Sequence, residues 1–228
     1  MTKNLTPELL AKYFDHTLLK PYATEADFIA FCEDCKKYEF AMAAINPVAV
    51  PLCKACLKDT PVHVGAAIGF PLGQNTIETK QFETQDAIVR GADEIDYVIN
   101  ITQLKAQNYL YVADEMHAVV DICKENKKIS KVIFETCFLT NDEKKELCRV
   151  VRDVRPDFVK TSTGFGTGGA TIEDVALMLD NVGDIAKVKA SGGVRTLEMV
   201  LKLIDMGVSR IGSSASVTIV DQYRAMLE

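Results

Sequence analysis

Short apolar runs rich in Val and Ile alternate with amphipathic helical segments from one end of the chain to the other. An apolar run bounded by turn residues fits a strand buried on both faces, whereas apolar positions recurring every three or four residues fit a helix with one buried side. Eight runs predict strands: Tyr13–Leu19, Phe40–Ile45, Val62–Phe70, Glu94–Asn100, Lys131–Thr136, Asp157–Thr161, Ile185–Ala190 and Val208–Gly212. A helical pattern follows each, often opened by a Ser, Thr, Asp or Asn able to cap the first turn. Thr24-Glu-Ala-Asp27, Thr140-Asn-Asp-Glu143 and Thr171-Ile-Glu-Asp174 have the form of capping boxes, with Asp replacing Glu in two of them. Gly207 follows the apolar face of Leu197–Met206 and is placed to end that helix. Thr6, Pro7 and Glu8 predict a short extra helix before the first strand.

Strand–helix units repeated along a chain argue for a parallel sheet covered by helices. Eight such units average under about 30 residues each, compact but within the range of a closed barrel. The rival is an open doubly wound sheet, which usually carries a Gly-rich phosphate turn after its first strand. Here the first strand ends Thr17-Leu-Leu-Lys20-Pro21 and the glycines cluster late, which favours the barrel. No Pro/Ser-rich linker or low-complexity stretch divides the chain. The expectation is therefore an α/β fold, a single (β/α)8 TIM barrel domain over residues 1–228 with a short extra N-terminal helix.

Composition narrows the class of partner. The 228 residues are 48% hydrophobic and 25% charged, as expected for a globular protein with a well-filled core. The net charge of −6 comes without a basic stripe, which argues against nucleic acid. Backbone N–H groups and one or two lysines still suffice to bind a phosphate. Met1–Leu10 lacks the apolar core of a signal peptide, and no stretch reaches the roughly 18 apolar residues of a membrane span. Seven cysteines, an odd number in a large core-forming chain, fit reduced thiols in the cytoplasm. Cys32-x-x-Cys35 and Cys53-x-x-Cys56 have the spacing of a four-thiolate zinc site. Each pair, however, falls at helical spacing among apolar residues, where zinc ribbons use tight turns, so core packing is the expected role and no metal is expected.

In a parallel barrel, catalytic groups project from the C-terminal ends of strands. Asp157-Phe-Val-Lys160 places a lysine near such an end, and Lys187-Val-Lys189 places another on the next strand. Neighbouring strands lie about 5 Å apart, so inward-pointing lysines at similar height approach closely. A buried ammonium beside a second cation loses proton affinity and becomes a nucleophile towards a carbonyl. Two snorkelling lysines are the ordinary alternative. Asp96 alternates with Val98 and Asn100 on one face of the fourth strand, and a carboxylate there must be paired or catalytic. Asp15, in Phe14-Asp15-His16-Thr17, is a candidate of the same kind, with a structural lysine ion pair as the alternative. Gly192-Gly193 and Gly212-Ser213-Ser214 follow the last two strands, where phosphate-binding barrels hold their anion. Thr163-Gly164-Phe-Gly-Thr-Gly-Gly169 adds a glycine-rich, mobile-looking loop to the same pocket. His16, His63 and His117 have no partner at metal-ligand spacing, and structural roles are expected for them.

These residues carry a resemblance. Asp15-His-Thr-Leu-Leu-Lys20-Pro21, Ile68-Gly-Phe-Pro-Leu-Gly73, Gly91-Ala-Asp-Glu-Ile-Asp96, Phe158-Val-Lys-Thr-Ser-Thr-Gly-Phe165, Lys189-Ala-Ser-Gly-Gly193 and Arg210-Ile-Gly-Ser-Ser214 together resemble the deoxyribose-phosphate aldolases, over nearly the whole chain. The resemblance implies cleavage of 2-deoxyribose 5-phosphate to glyceraldehyde 3-phosphate and acetaldehyde, without cofactor or metal. It implies that Lys160 is the Schiff-base lysine, that Lys189 depresses its pKa, and that Asp96 is the acid/base carboxylate. Asp15 then supports proton transfer, and Gly164, Gly192, Gly193, Gly212, Ser213 and Ser214 bind the phosphate. The implied partners are a small phosphorylated sugar and acetaldehyde, and a homodimer is compatible with the reading. Two departures stand out: Ala44, where many relatives carry Cys, and Lys187, where a small residue is common and where parity turns a third charge towards the barrel floor. A related Schiff-base lyase or acid/base isomerase, and a non-catalytic sugar-phosphate sensor, stay open.

Overall fold

Eight parallel strands close into a barrel in chain order in the computed structural model, which describes residues 5–228. Residues 1–4, part of the stretch read above for a leader, lie outside the described residues. The strands are β1 (Phe14–Leu18), β2 (Met42–Ile45), β3 (His63–Ile68), β4 (Glu94–Val98), β5 (Ile129–Ile133), β6 (Phe158–Lys160), β7 (Lys187–Ser191) and β8 (Arg210–Ser213). The helices are α1 (Pro7–Ala11), α2 (Glu25–Tyr38), α3 (Val50–Cys56), α4 (Ile77–Val89), α5 (Ile101–Lys105), α6 (Tyr109–Glu125), α7 (Asn141–Val154), α8 (Ile172–Val182), α9 (Leu197–Met206) and α10 (Ser216–Leu227). β1 pairs with both β2 and β8, which closes the ring.

Each predicted strand is present, and most stop short of the apolar run because its last residues turn into loops. Asn100, for example, leaves β4 to cap α5, its side chain accepting from Gln103 N–H. The extra helix is α1, capped by Thr6 with Pro7 in its first turn. Thr24/Asp27 and Thr140/Glu143 form complete capping boxes. Thr171 caps α8, but Asp174 does not reciprocate, because its carboxylate is held by Lys144 of α7 at 2.5 Å. Gly207 ends α9 in the left-handed region.

The strand period of two separates two environments. Outward residues such as Phe14, Ile45, Val64, Ile68, Tyr97, Val132, Val188 and Ile211 join the helices in one apolar shell. Burying one such large side chain contributes about 1.5–3 kcal/mol. Cys32, Cys35 and Cys53 are buried in that shell on α2 and α3, and Cys56 packs against it, so these thiols fill helical core positions. The described residues include no group of three or more His, Cys, Asp or Glu able to hold a metal ion. None of their helices is long and apolar enough to cross a membrane.

One ionic clasp ties the helical shell to the strand ends. Lys80 of α4 and Glu115 of α6, both fully buried, meet at 2.5 Å. Lys80 Nζ also donates to the carbonyls of Gly73 and Val98 at 2.9 and 2.8 Å, and Glu115 Oε2 accepts from Asn100 N–H at 2.8 Å. Burial lowers the proton affinity of Lys80 and raises that of Glu115, yet both are hydrogen-bonded on several sides. Removing one partner should therefore cost more than removing both. Glu115→Leu should lose about 3–5 kcal/mol in chemical denaturation. Lys80→Met combined with Glu115→Leu should recover at least half of that loss; a double variant as unstable as the sum of the singles would contradict the clasp.

Candidate active site

Lys160 ends β6, and its direct register partner on β7 is Lys189, so the two lysines do stand at one height on neighbouring strands. Both point inward and are nearly fully buried. Asp96 reaches them across the interior from β4. Its Oδ2 accepts from Lys160 Nζ at 2.8 Å and from Lys189 Nζ at 2.7 Å, while its Oδ1 accepts from Lys131 Nζ of β5 at 2.8 Å. Asp15 of β1 pairs with Lys189 and with Arg210 of β8, each at 2.5 Å, so the lysine ion pair is present together with an arginine. Glu94, two residues before Asp96, pairs with Lys131, with Arg210 at 3.2 Å and with His63 at 2.7 Å.

Three carboxylates thus face three lysines and an arginine, with His63 at the edge on Glu94. Glu94, Lys131 and Arg210 were not singled out in the sequence, although their inward parity was visible. A charge at the start of a strand ordinarily reaches solvent, and these fold into the centre instead. Lys187 is exposed at the opening of β7, and its ammonium lies 5.6 Å from the Phe158 ring centroid. Arg210 and Lys131 lie 5.6 and 5.9 Å from the same ring, so the third charge stands at the barrel floor, exposed, beside a ring that two other cations also approach.

The charge pattern sets the reactivity of Lys160. Burial is the main force lowering its proton affinity; Asp96 opposes it, and Lys189 and Lys131 add to it, leaving a pKa of about 8. Unit charges 4 Å apart interact by about 4 kcal/mol at an effective dielectric of 20, so one carboxylate oxygen shared with another cation does not offset burial. Lys131 is also fully buried, but Asp96, Glu94 and Asp15 together raise its pKa. Burial would raise the pKa of Asp96; Lys131, Lys160 and Lys189 outweigh it and hold the carboxyl well below its usual range. The result is an amine able to be neutral near physiological pH beside a permanent carboxylate, the combination carbonyl addition requires.

Above Lys160 opens a cavity of about 620 Å³. Of the interior charged residues described, Lys160 reaches its wall, and Asp96, Lys189, Asp15 and Lys131 do not. Gly164, Gly192, Gly193, Gly212, Ser213 and Ser214 all line it. Gly192 has φ +83°, and a Cβ on Gly169 would lie 2.1 Å from the Gly192 carbonyl oxygen, so these two loops touch only because both residues are glycine. Gly212 belongs to β8 itself, and a side chain there would press on Ser191 and on Lys189 Cε. The first turn of α10, just beyond Ser214, has no side-chain cap, leaving N–H groups available to an anion. Lys20 and Arg195 also line the cavity and were not singled out in the sequence. Ala44 sits on the wall as well.

Hydroxyl groups after Lys160 stitch the site together. Thr161 Oγ1 donates to the Ser191 carbonyl and accepts from Ser191 N–H, both at 3.0 Å, and Ser191 Oγ donates to the Ser162 carbonyl at 2.6 Å. Thr163 binds the buried carboxylate of Glu135 through its hydroxyl and its N–H, and Ala170 N–H bonds to Ser191 and Gly192 carbonyls. The glycine-rich loop expected to move is therefore tied at both ends. Glu135 fell inside the predicted strand Lys131–Thr136 and was not singled out there; the strand ends at Ile133, and Glu135 belongs to the loop beyond. His16 is buried between Phe31 and Phe40 rings with its pKa lowered to about 4 by burial, in keeping with a structural role.

The DeoC/LacD family aldolase profile matches residues 9–217. A deoxyribose-phosphate aldolase of Lactobacillus acidophilus is 54% identical over 216 residues, covering 95% of this chain and 90% of its own. Among solved structures, a putative deoxyribose-phosphate aldolase from Coccidioides immitis superposes with a TM-score of 0.92 at 37% identity, covering 96% of this chain and 87% of its own. The deoxyribose phosphate aldolase of Aeropyrum pernix, described as a tetramer, gives 0.90 at 30% identity, covering 97% and 93%.

The low proton affinity of Lys160 is directly measurable. Competitive acylation mapped by peptide mass should show its reactivity rising about tenfold per pH unit and levelling near pH 8, since only the free amine reacts. A midpoint at the ordinary lysine value of 10.5 would contradict the charge arrangement.

Proposed function

The chain belongs to the DeoC/LacD aldolase family and is a carbon–carbon lyase, and from that membership we propose that it reversibly cleaves 2-deoxy-D-ribose 5-phosphate to D-glyceraldehyde 3-phosphate and acetaldehyde through a Schiff base on Lys160. The observation that carries the assignment of Lys160 is its position on the cavity wall, as an amine of lowered proton affinity facing the glycine-rich loops.

The chemistry follows. Lys160 Nζ adds to the aldehyde carbon of the open-chain sugar and water departs, leaving a protonated imine. A base takes the proton of the 3-hydroxyl, the C2–C3 bond breaks, and its electron pair moves into the imine to give an enamine. Glyceraldehyde 3-phosphate leaves; the enamine is protonated on carbon and hydrolysed, releasing acetaldehyde and the free amine. The imine is itself the electron sink, so these steps need no cofactor. Asp96, in contact with the amine, and Lys189, in contact with Asp96, relay protons, with a water bridging to the substrate. Asp15 holds Lys189 in that relay. Gly164, Gly192, Gly193, Gly212, Ser213 and Ser214 supply N–H donors to the phosphate, and Ser214 its hydroxyl as well.

The chain, residues 1–228, is proposed to work as one domain in the cytoplasm, in carbohydrate degradation, with its seven thiols free. A homodimer is proposed on Phe82 and Val89, exposed seven residues apart on one face of α4; a monomer mass by light scattering would count against it. Lys160→Ala should keep the far-ultraviolet circular dichroism of the wild type and lose several orders of magnitude in kcat. Borohydride with acetaldehyde should trap one adduct, on Lys160; retained activity in the variant would overturn the assignment of Lys160, and no adduct with any donor aldehyde would favour an isomerase or a sugar-phosphate sensor.

A further inference from the structure

Lys131 is the most enclosed base of the barrel and does not line the cavity. Rising from β5, it meets Asp96 Oδ1 at 2.8 Å and Glu94 of the same neighbouring strand, with Asp15 of β1 at 4.0 Å. Met42 Sδ of β2 lies 3.2 Å from its ammonium and the Phe158 ring of β6 lies beneath. An ion pair in so dry a place contributes little net stability compared with apolar packing. Its geometric effect is specific: with Oδ1 taken, the Asp96 carboxylate cannot turn, and Lys160 and Lys189 are left to share Oδ2.

We propose that Lys131 is a positioning residue for the aldol reaction, which occupies one oxygen of Asp96 and so prevents that carboxylate from pairing fully with Lys160. The proposal rests on Lys160 being the Schiff-base amine. Without Lys131, Asp96 would rotate to offer Lys160 and Lys189 an oxygen each, and one cation would leave the neighbourhood. Both changes favour the protonated, unreactive form of Lys160. The other groups facing this cluster are Lys189 of β7, Arg210 of β8 and Glu94 of β4, with His63 of β3 on Glu94 and Lys187 over Phe158. None of these takes Asp96 Oδ1.

The test is the pH profile of kcat/KM for sugar-phosphate cleavage in wild type, Lys131→Met and Lys131→Arg. In Lys131→Met the acid limb should move up by about one unit, a tenfold loss on that limb, with activity recovering towards the wild-type plateau above it and KM little changed. Lys131→Arg should return the limb most of the way. Because Lys131→Met alone leaves buried carboxylates under-paired, the charge-conserving variant Lys131→Met/Glu94→Gln carries the same expectation for the limb. A loss that is uniform across pH, with the limb unmoved in whichever variant folds, would overturn the proposal, as would an unchanged profile. Borohydride trapping on the wild type separates the two levels. An adduct on Lys160 with an unmoved limb overturns only the role of Lys131; no adduct overturns the Schiff-base reading beneath it.

Discussion

Two lysine nitrogens converge on one carboxylate oxygen, Asp96 Oδ2, and Lys160 has no other carboxylate within pairing distance among the described residues. Around them the interior holds one more base than acid. In water such an imbalance costs little, because solvent screens it and supplies counterions. Inside a closed barrel each additional cation must find a fixed partner or give up its proton. Lys131 and Arg210 have several carboxylates each, and Lys160 has half of one oxygen. The constraint thus falls on the one amine that also reaches the cavity.

The rest of the fold serves to keep that arrangement dry and rigid. Apolar side chains on the outer faces of the strands bind the helices, which leaves the inner faces free for polar residues without loss of the core. The Lys80–Glu115 clasp fixes the end of β4, and with it the height of Asp96. Hydroxyl groups of Thr161, Thr163 and Ser191 fix β6 against β7 and the loop beyond, adding to the backbone hydrogen bonds that continue past the strand ends. Gly212 contributes by omission, since a side chain there would press on Ser191 and crowd Lys189.

Much of this was legible in the sequence because it depends on short-range periodicity. The alternation of apolar runs and helical patterns determined the barrel, and the period of two within Asp157–Thr161 and Ile185–Ala190 was enough to pair Lys160 with Lys189. The cavity loops were legible from their glycines. What was not legible depends on closure. Only when β8 meets β1 do Arg210 and Asp15 touch, and only across the interior does Lys131 reach both Glu94 and Asp96. Lys80 and Glu115 were equally hidden, since a charged residue on a helix reads as solvent-facing until its partner 35 residues away is known. The sequence named burial and the neighbouring lysine together as what activates Lys160; both act, with burial the larger influence and Lys189 the smaller.

The most direct test of this electrostatic account is a neutron crystal structure of the unliganded protein at about pH 9, one unit above the value at which Lys160 titrates. Two deuterons on Lys160 Nζ and none on Asp96 are the result predicted. Three deuterons on Lys160 Nζ, or one on an Asp96 oxygen, would contradict it.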